Sequence, residues 1–111
     1  MREVTLESLV DFVRLLRGSG FRIGISESID AYRAVEELGL SGDLRASPQK
    51  IAYFREALRA TLAKDPDRYG VFDELFDMYW LMGLEAKQVA ERRIPVRVEV
   101  EGETPDPVKK F

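Results

Sequence analysis

The stretch SPQKIAYFREALRATL, residues 47–62, sets the fold class of this chain. Ser47 is a typical helix N-cap, and Pro48 suits the first helical position, where its missing N–H breaks no hydrogen bond. Apolar side chains then recur every three or four residues, at Ile51, Phe54, Leu58 and Leu62. This spacing predicts an amphipathic helix from Pro48 to about Lys64 with one face in a hydrophobic core.

The preceding sequence predicts two more helices. Thr5 can cap a first helix that ends near Arg17, and Ser26 can cap a second helix over residues 27–38. Glycines that tolerate a left-handed conformation follow the two helices, at Gly18, Gly20 and Gly39. The inward face of the second helix is predicted to consist of Ile29, Tyr32, Val35 and Leu38.

Two further helices are predicted after residue 64. Asp65–Pro66–Asp67 ends the third helix and can cap a fourth, which reaches Gly83 and repeats aromatic and leucine side chains at intervals of three and four. A short fifth helix is predicted over residues 85–92. Between the first two helices, residues 21–25 alternate apolar with polar or small side chains, which predicts a short extended segment.

The period changes near the C-terminus. Residues 96–101 read VRVEVE, the alternation of a half-buried strand. Because a lone strand leaves its backbone N–H and C=O groups unpaired, we expect residues 94–101 to pair with residues 21–25 or with a second copy of the chain in a homodimer. The predicted fold is mainly α: a compact bundle of four to five helices over residues 1–93, then a strand-like extension and flexible tail over residues 94–111.

Composition excludes several kinds of chemistry. The chain has 111 residues but no cysteine and no histidine, which excludes disulfides, thiolate nucleophiles, imidazole bases and nearly all structural zinc sites. A formal net charge of −3 argues against a generally basic nucleic-acid binder. A carboxylate-based hydrolase is disfavoured because most acidic residues fall on outer helix faces. We therefore expect no catalytic residue, no metal site and no cofactor.

The sequence also bears on localisation. Its N-terminus opens directly into an amphipathic pattern, unlike a signal peptide. The longest apolar run, residues 78–84, is far shorter than the ~20 residues that cross a bilayer. We expect a cytoplasmic protein without membrane contact, a compartment with which the absence of cysteine is compatible.

Two loop motifs imitate ligand sites. The glycines of residues 18–24 have the wrong spacing and order for a phosphate loop, so a helix stop and a turn are favoured. Residues 65–70 begin like a calcium loop. Its fifth and twelfth positions, however, are Tyr69 and Phe76 instead of oxygen ligands, which favours helix capping.

Five arginines are candidate protein-interaction residues: Arg14, Arg17, Arg22, Arg55 and Arg59. Arg17 and Arg55 fall beside the apolar stripes of their helices, so neither is expected to be fully solvated. One interpretation is that the arginine stems cover the core while their guanidinium groups pair with Asp67, Asp73 or Asp77. The other is a recognition surface for an acidic partner protein. For Arg55 we predict partial burial and a carboxylate partner on the fourth helix.

Residues 78–82, MYWLM, are apolar almost all round the predicted helix. Tyr79 and Trp80 belong to its core face, whereas Leu81 points away from that face. Exposed Met and Leu side chains beside an aromatic residue are common in adaptable interfaces, so Leu81 and Met82 are further candidates for a protein interaction. Burial under the fifth helix is the competing prediction.

Three stretches together resemble a known family: LVDFVRLLRGSGFRIG (9–24), FREALRATL (54–62) and YGVFDELFD (69–77). In this order and spacing they resemble the N-terminal helical region of CoxE-like proteins, which carry a von Willebrand A domain and are associated with MoxR-type AAA+ ATPases. The metal-binding D-x-S-x-S motif of such A domains is absent from this chain, so the resemblance implies no metal site here.

The resemblance implies a non-enzymatic protein-interaction module of a CoxE-like, MoxR-associated system that acts as a chaperone or matures metal-containing enzymes. The expected partners are a MoxR-type AAA+ ATPase, a von Willebrand A domain, or both. By resemblance, four of the candidate arginines match motif positions: Arg14, Arg17, Arg55 and Arg59. The alternative is a small helical nucleic-acid-binding regulator, which would lose DNA affinity steeply with salt.

Overall fold

The computed structural model describes residues 1–92, in which five α-helices pack around one core. Their bounds are Leu6–Gly18 (α1), Ile25–Glu37 (α2), Pro48–Leu62 (α3), Tyr69–Phe76 (α4) and residues 86–92 (α5). The predicted mainly α bundle is confirmed. The strand and homodimer predicted for residues 94–101, and the domain boundary predicted after residue 93, lie outside the described residues.

Side-chain caps fix where the helices begin. Thr5 Oγ1 and Ser47 Oγ each accept a hydrogen bond at 3.1 Å from the backbone N–H three residues further on, so the predicted caps of α1 and α3 are confirmed. The prediction that Ser26 caps α2 is wrong by two residues. The N-cap is Gly24, whose N–H donates to the Glu27 side chain at 2.9 Å, and the helix therefore begins at residue 25.

Glycines end α1 and α2 in the same way. Gly20 and Gly39 have φ values of +98° and +66°, a left-handed conformation that residues with a Cβ rarely adopt. The amide after each glycine donates to a carbonyl five residues back, at 3.0 Å and 2.9 Å, which satisfies a carbonyl group of the last helical turn. The predicted stops at these two glycines are confirmed.

A cluster of aromatic rings from α1, α3 and the α4 region forms the centre of the core. The ring centroid of Phe12 lies 5.5–6.3 Å from those of four other rings: Phe72, Phe76, Tyr79 and Trp80. Phe54 on α3 meets Trp80 edge to face at 4.7 Å. All six side chains are buried, and such ring pairs contribute about 0.5–1.5 kcal/mol each beyond the burial of their area.

The predicted inward face of α2 is only partly right. Val35 is buried and Tyr32 packs against the core, but Ile29 is 45% exposed and Leu38 is 61% exposed. The residues that α2 buries are mostly small: Ser28, Ala31 and Val35. Because these side chains are small, the α2 backbone can lie close to the bundle. The face that α2 buries is therefore narrower than the number of large aliphatic residues in its sequence suggests.

Residues 21–24 connect α1 and α2, and their side chains alternate between buried and exposed. The predicted alternation is thus confirmed up to Gly24, but Ile25 already belongs to α2. These residues pair with no strand in the described part of the chain. The sheet-like pairing found among residues 1–92 is an isolated antiparallel bridge between Val4 and Gly42.

α4 continues as a π-helical turn, Asp77–Leu81, and the chain leaves this helix at Gly83, whose φ is +75°. Arg2 covers this end. Its Nη2 donates to the carbonyls of Gly83 and Leu84 at 3.2 Å and 2.8 Å, and its backbone N–H donates to Trp80 O at 2.8 Å. The second residue of the chain therefore satisfies carbonyl groups that the helix end leaves without partners.

Candidate protein-interaction surfaces

Two of the candidate arginines are paired. Arg55 and Arg59, one turn apart on α3, are partly buried, with 24% and 23% of their side chains exposed. Arg55 donates to Asp77 at 2.8 Å and to Asp73 at 3.4 Å. Arg59 donates to the other oxygen of Asp73 at 3.4 Å and to Glu56 at 2.7 Å. The predicted burial and pairing of Arg55 are confirmed.

The same two guanidinium groups lie over aromatic rings. The Cζ of Arg55 is 4.4 Å from the ring centroid of Phe76, and that of Arg59 is 4.9 Å from that of Tyr69. A cation over a ring face contributes about 0.5–1 kcal/mol at exposed sites and more when water is excluded. These contacts hold α3 against α4. Asp67, the remaining predicted partner, pairs with no arginine among residues 1–92.

The other three candidates have different surroundings. Arg14, Arg17 and Arg22 are exposed, and none of them forms an ion pair within residues 1–92, so the prediction of carboxylate partners is wrong for this group. Arg17 is held by neutral groups instead: its Nε donates to Ile23 O at 2.9 Å and its Nη2 to Ser28 Oγ at 3.3 Å. These bonds position its guanidinium group without neutralising the charge.

Arg14 and Arg17 border a groove of about 280 Å³ between α1 and α2. Each helix lines it with four residues at the spacing i, i+3, i+4, i+7: Val10, Val13, Arg14 and Arg17 from α1, and Ile25, Ser28, Ile29 and Tyr32 from α2. Ile25 is 77% exposed and Ile29 is 45% exposed. This surface, the α1–α2 groove, combines exposed aliphatic side chains with two arginines that form no ion pair within residues 1–92.

A second groove, the α2–α3 groove, has a volume of about 550 Å³. Its lining is mostly apolar: Leu38, Leu40, Tyr53, Glu56, Ala57 and Ala60. Leu38 is 61% exposed and Tyr53 is 60% exposed. The charged residue of this lining, Glu56, is already paired with Arg59 at 2.7 Å. The groove is therefore apolar, and no unpaired charge on its lining indicates what it binds.

Comparison with known families fits this architecture. Residues 9–83 match the model of the CoxE N-terminal helical bundle domain. The chain belongs to this family. The match covers roughly two thirds of the 111-residue sequence and confirms the resemblance of its helical region to this family. No curated protein and no solved structure matches the chain.

The hydrophobic pattern of this CoxE N-terminal domain does not by itself predict the exposure of Ile25 and Ile29. It places Ile25 in the extended segment and Ile29 on the inward face of α2. The signal that points the other way is a series of small residues spaced three and four apart: Ser28, Ala31 and Val35. A helix that buries such a series turns its larger aliphatic residues elsewhere, which leaves them available for contacts.

The last two candidate residues differ in exposure. Leu81, the final residue of the π-helical turn, is partly buried and packs against the core. Met82 follows that turn and is 55% exposed. Leu81 is thus partly buried, whereas the burial predicted for Met82 is wrong, since Met82 lies where the chain leaves the helix.

The loop motifs have structural roles in the domain. Asp65 Oδ1 accepts a hydrogen bond from the N–H of Asp67 at 3.0 Å and caps the short 3₁₀ turn Pro66–Arg68. The predicted cap of the fourth helix is wrong, because α4 begins after Arg68, whose side chain makes no capping hydrogen bond. Within residues 1–92, no three His, Cys, Asp or Glu side chains are grouped so that they could hold a metal ion. In the same part of the chain, no helix has the length and apolar character needed to cross a membrane.

Two titratable groups of residues 1–92 have clearly shifted pKa values. Burial raises the pKa of Tyr79 to about 12, and its hydroxyl donates a hydrogen bond to Ser8 O at 3.2 Å. Hydrogen bonds from the backbone and side chain of Arg45 lower the pKa of Asp43. Neither shifted group lines either groove, so neither groove acquires from them an acid or base tuned for catalysis.

Proposed function

We propose that this CoxE N-terminal domain is a non-enzymatic protein-interaction module. It acts with a MoxR-type AAA+ ATPase, a von Willebrand A domain, or both, in a cytoplasmic chaperone or metalloenzyme-maturation system. Family membership supports the kind of system. The observation that carries the proposal is the α1–α2 groove, where exposed isoleucines lie beside arginines that have no carboxylate partner among residues 1–92.

The groove is better suited to binding than to stabilising the fold. A side chain as exposed as Ile25 gains little from the burial of apolar area, which is worth about 25 cal/mol per Å². An apolar patch rimmed by polar residues is typical of protein–protein interaction sites. Catalysis would instead require convergent acid and base groups in a pocket. The charged groups in the lining of the α1–α2 groove are two arginines.

Affinity capture tests the proposal. The full chain, tagged and expressed in its source cell, should co-purify with an AAA+ ATPase or with a protein that contains a von Willebrand A domain. Quantitative mass spectrometry should show enrichment of that protein over a capture with an unrelated tagged helical domain. The purified partner should then co-elute with the chain in size-exclusion chromatography.

Two outcomes would contradict the proposal. One is the absence of either kind of partner from the captured proteins while other interactions of the tagged chain are retained. The second is tight DNA binding whose affinity falls steeply with salt, which would favour the alternative of a nucleic-acid-binding regulator.

A further inference from the structure

We propose that the α1–α2 groove binds an acidic amphipathic segment of a partner protein. An aliphatic or aromatic side chain of that segment enters the groove between Ile25 and Ile29, and carboxylates beside it pair with Arg14 and Arg17. This assignment rests on the proposed function and adds to it the chemistry of the partner and the surface that recognises it.

The arginines supply the charge complementarity. Arg14 and Arg17 are three residues apart on α1, which places their Cβ atoms about 5–6 Å apart on one helix face. Carboxylates one helical turn apart on a partner segment have the same spacing. Neither arginine forms an ion pair within residues 1–92, so a partner carboxylate would not need to displace an internal one.

Arg17 is also held in place before a partner arrives. A guanidinium group has five N–H donors. Arg17 uses its Nε–H on Ile23 O and one Nη2–H on Ser28 Oγ, at 2.9 Å and 3.3 Å. The remaining donors have no partner among residues 1–92 and can bind a carboxylate. Because the group is already ordered, binding costs less side-chain entropy than it would for a freely rotating arginine.

The apolar lining determines what accompanies the carboxylates. Ile25 and Ile29 are 77% and 45% exposed, and Val10 and Val13 lie on the facing helix. The groove volume of about 280 Å³ falls just below the roughly 300–1,000 Å³ of small-molecule sites. A volume of this size suits one large side chain of a peptide, and an apolar centre with a charged rim is the usual anatomy of a protein interface.

The same features disfavour a nucleic acid. Binding to the DNA backbone relies on neutralising several phosphates with lysines and arginines, whereas the lining of the groove holds two arginines. The net charge of −3 opposes the approach of a polyanion. Phosphate groups also make no apolar contact with the exposed isoleucines, which would stay in contact with water.

A peptide titration tests the assignment. The probe is a 14-residue helical peptide with leucines at positions i, i+3, i+4 and i+7 and glutamates at all flanking positions. Added to the ¹⁵N-labelled full chain, it should shift the amide resonances of the residues that line the α1–α2 groove. The same peptide with every glutamate replaced by lysine should not shift them, and neither should a glutamate peptide whose leucines are replaced by serine.

Variants separate charge from shape. Arg14→Glu should weaken binding of the glutamate peptide about tenfold or more and favour the lysine peptide, whereas Arg14→Lys should keep affinity within about threefold. Ile29→Ser should weaken binding, and Tyr53→Ser, in the α2–α3 groove, should leave it unchanged. Unfolding followed by Trp80 fluorescence confirms that each variant is folded.

Several results would overturn the assignment. These are the absence of shifts in the groove at millimolar glutamate peptide, equal binding of the lysine peptide, and shifts centred on the α2–α3 groove. Stronger shifts at Arg14 and Arg17 with a single-stranded DNA oligonucleotide would assign the arginines to phosphates. Light scattering that shows a dimer lost in Ile29→Ser would assign the groove to a second copy of the chain.

Failure of this assignment is distinguishable from failure of the proposed function. If the wild type, Arg14→Glu and Ile29→Ser capture an AAA+ ATPase or an A-domain protein equally well, the groove assignment fails and the proposed function stands. If neither kind of partner is captured while the glutamate peptide binds as described, the proposed function fails and the groove assignment stands.

Discussion

The α3–α4 contact and the α1–α2 groove use the same kind of side chain in opposite ways. At the α3–α4 contact, Arg55 lies over Phe76 and donates to Asp77 at 2.8 Å. In the groove, Arg14 and Arg17 lie beside exposed isoleucines, and no carboxylate of residues 1–92 pairs with them. Each region joins guanidinium groups to apolar side chains, but residues 1–92 supply carboxylates to only one of them.

This difference separates stability from binding. An arginine that is paired and stacked within the chain contributes to the folded state, and its removal leaves a carboxylate without a partner. An arginine without an internal partner contributes little to stability, and its charge remains available to another molecule. The same residue type thus has a structural role on α3 and, in our proposal, a recognition role on α1.

The largest expected difference in the free energy of unfolding is between variants of two isoleucines, one on each side of Gly24. Ile23 is 8% exposed and Ile25 is 77% exposed. Ile23→Ala should lower the free energy of unfolding by about 2–4 kcal/mol, whereas Ile25→Ala should change it by less than about 0.5 kcal/mol. Urea unfolding followed by the fluorescence of Trp80, the single tryptophan, measures both. Equal losses would place Ile25 in the core and contradict an open groove.

A smaller contrast is expected between the two kinds of arginine. Arg55→Ala should cost about 2 kcal/mol, because it uncovers Phe76 and leaves Asp77 without its partner. The cost is below that of a fully buried pair, since Asp73 and Asp77 are 38% and 50% exposed. Arg14→Ala should cost less than about 0.5 kcal/mol in the same urea experiment. A similar cost for both variants would remove the distinction between the regions.

The smallest expected effect is a loss of folding stability at alkaline pH. We expect it to come from Tyr79 in the core and not from either arginine region. The pKa of Tyr79 is about 12 in the folded state, above the ordinary tyrosine value of 10.0, so folding favours the neutral phenol. This contribution is fully present below pH 10 and is lost as pH rises through 12. By pH 11 the wild type should lose about 1 kcal/mol relative to pH 8. Tyr79→Phe should abolish that loss, and its persistence would assign it to other groups.

Sequence pattern was sufficient for most of the fold. Local signals set it: Ser47 and Pro48 begin α3, and glycine permits the left-handed stop at Gly20. The aromatic side chains at intervals of three and four pack into the core as expected. The predicted start of α2 was wrong because the Glu27 side chain accepts a hydrogen bond from the N–H of Gly24. This bond makes Gly24 the N-cap in place of Ser26.

The surfaces were harder to predict from the sequence. A helical wheel places Arg55 beside an apolar stripe, and two of the three aspartates predicted as arginine partners, Asp73 and Asp77, are the ones that it contacts. The exposure of Ile29 could not be read from hydrophobicity, since it depends on which face of α2 the bundle covers. The covered face is the one that carries small residues such as Ala31, which pack against the bundle. A search for hydrophobic periodicity gives an alanine less weight than an isoleucine, so it selects the wrong face.

The contact between Arg2 and the end of α4 has a consequence for folding during synthesis. Arg2 and Leu84 are 82 residues apart in the chain. At roughly 5–20 residues per second, a ribosome adds Leu84 roughly 4–16 s after Arg2. Until residue 79 is added, Arg2 has none of the carbonyl groups to which it finally donates, whereas α1, α2 and α3 have all been made by then. Arg2 is therefore translated long before the carbonyl groups that it contacts in the folded domain.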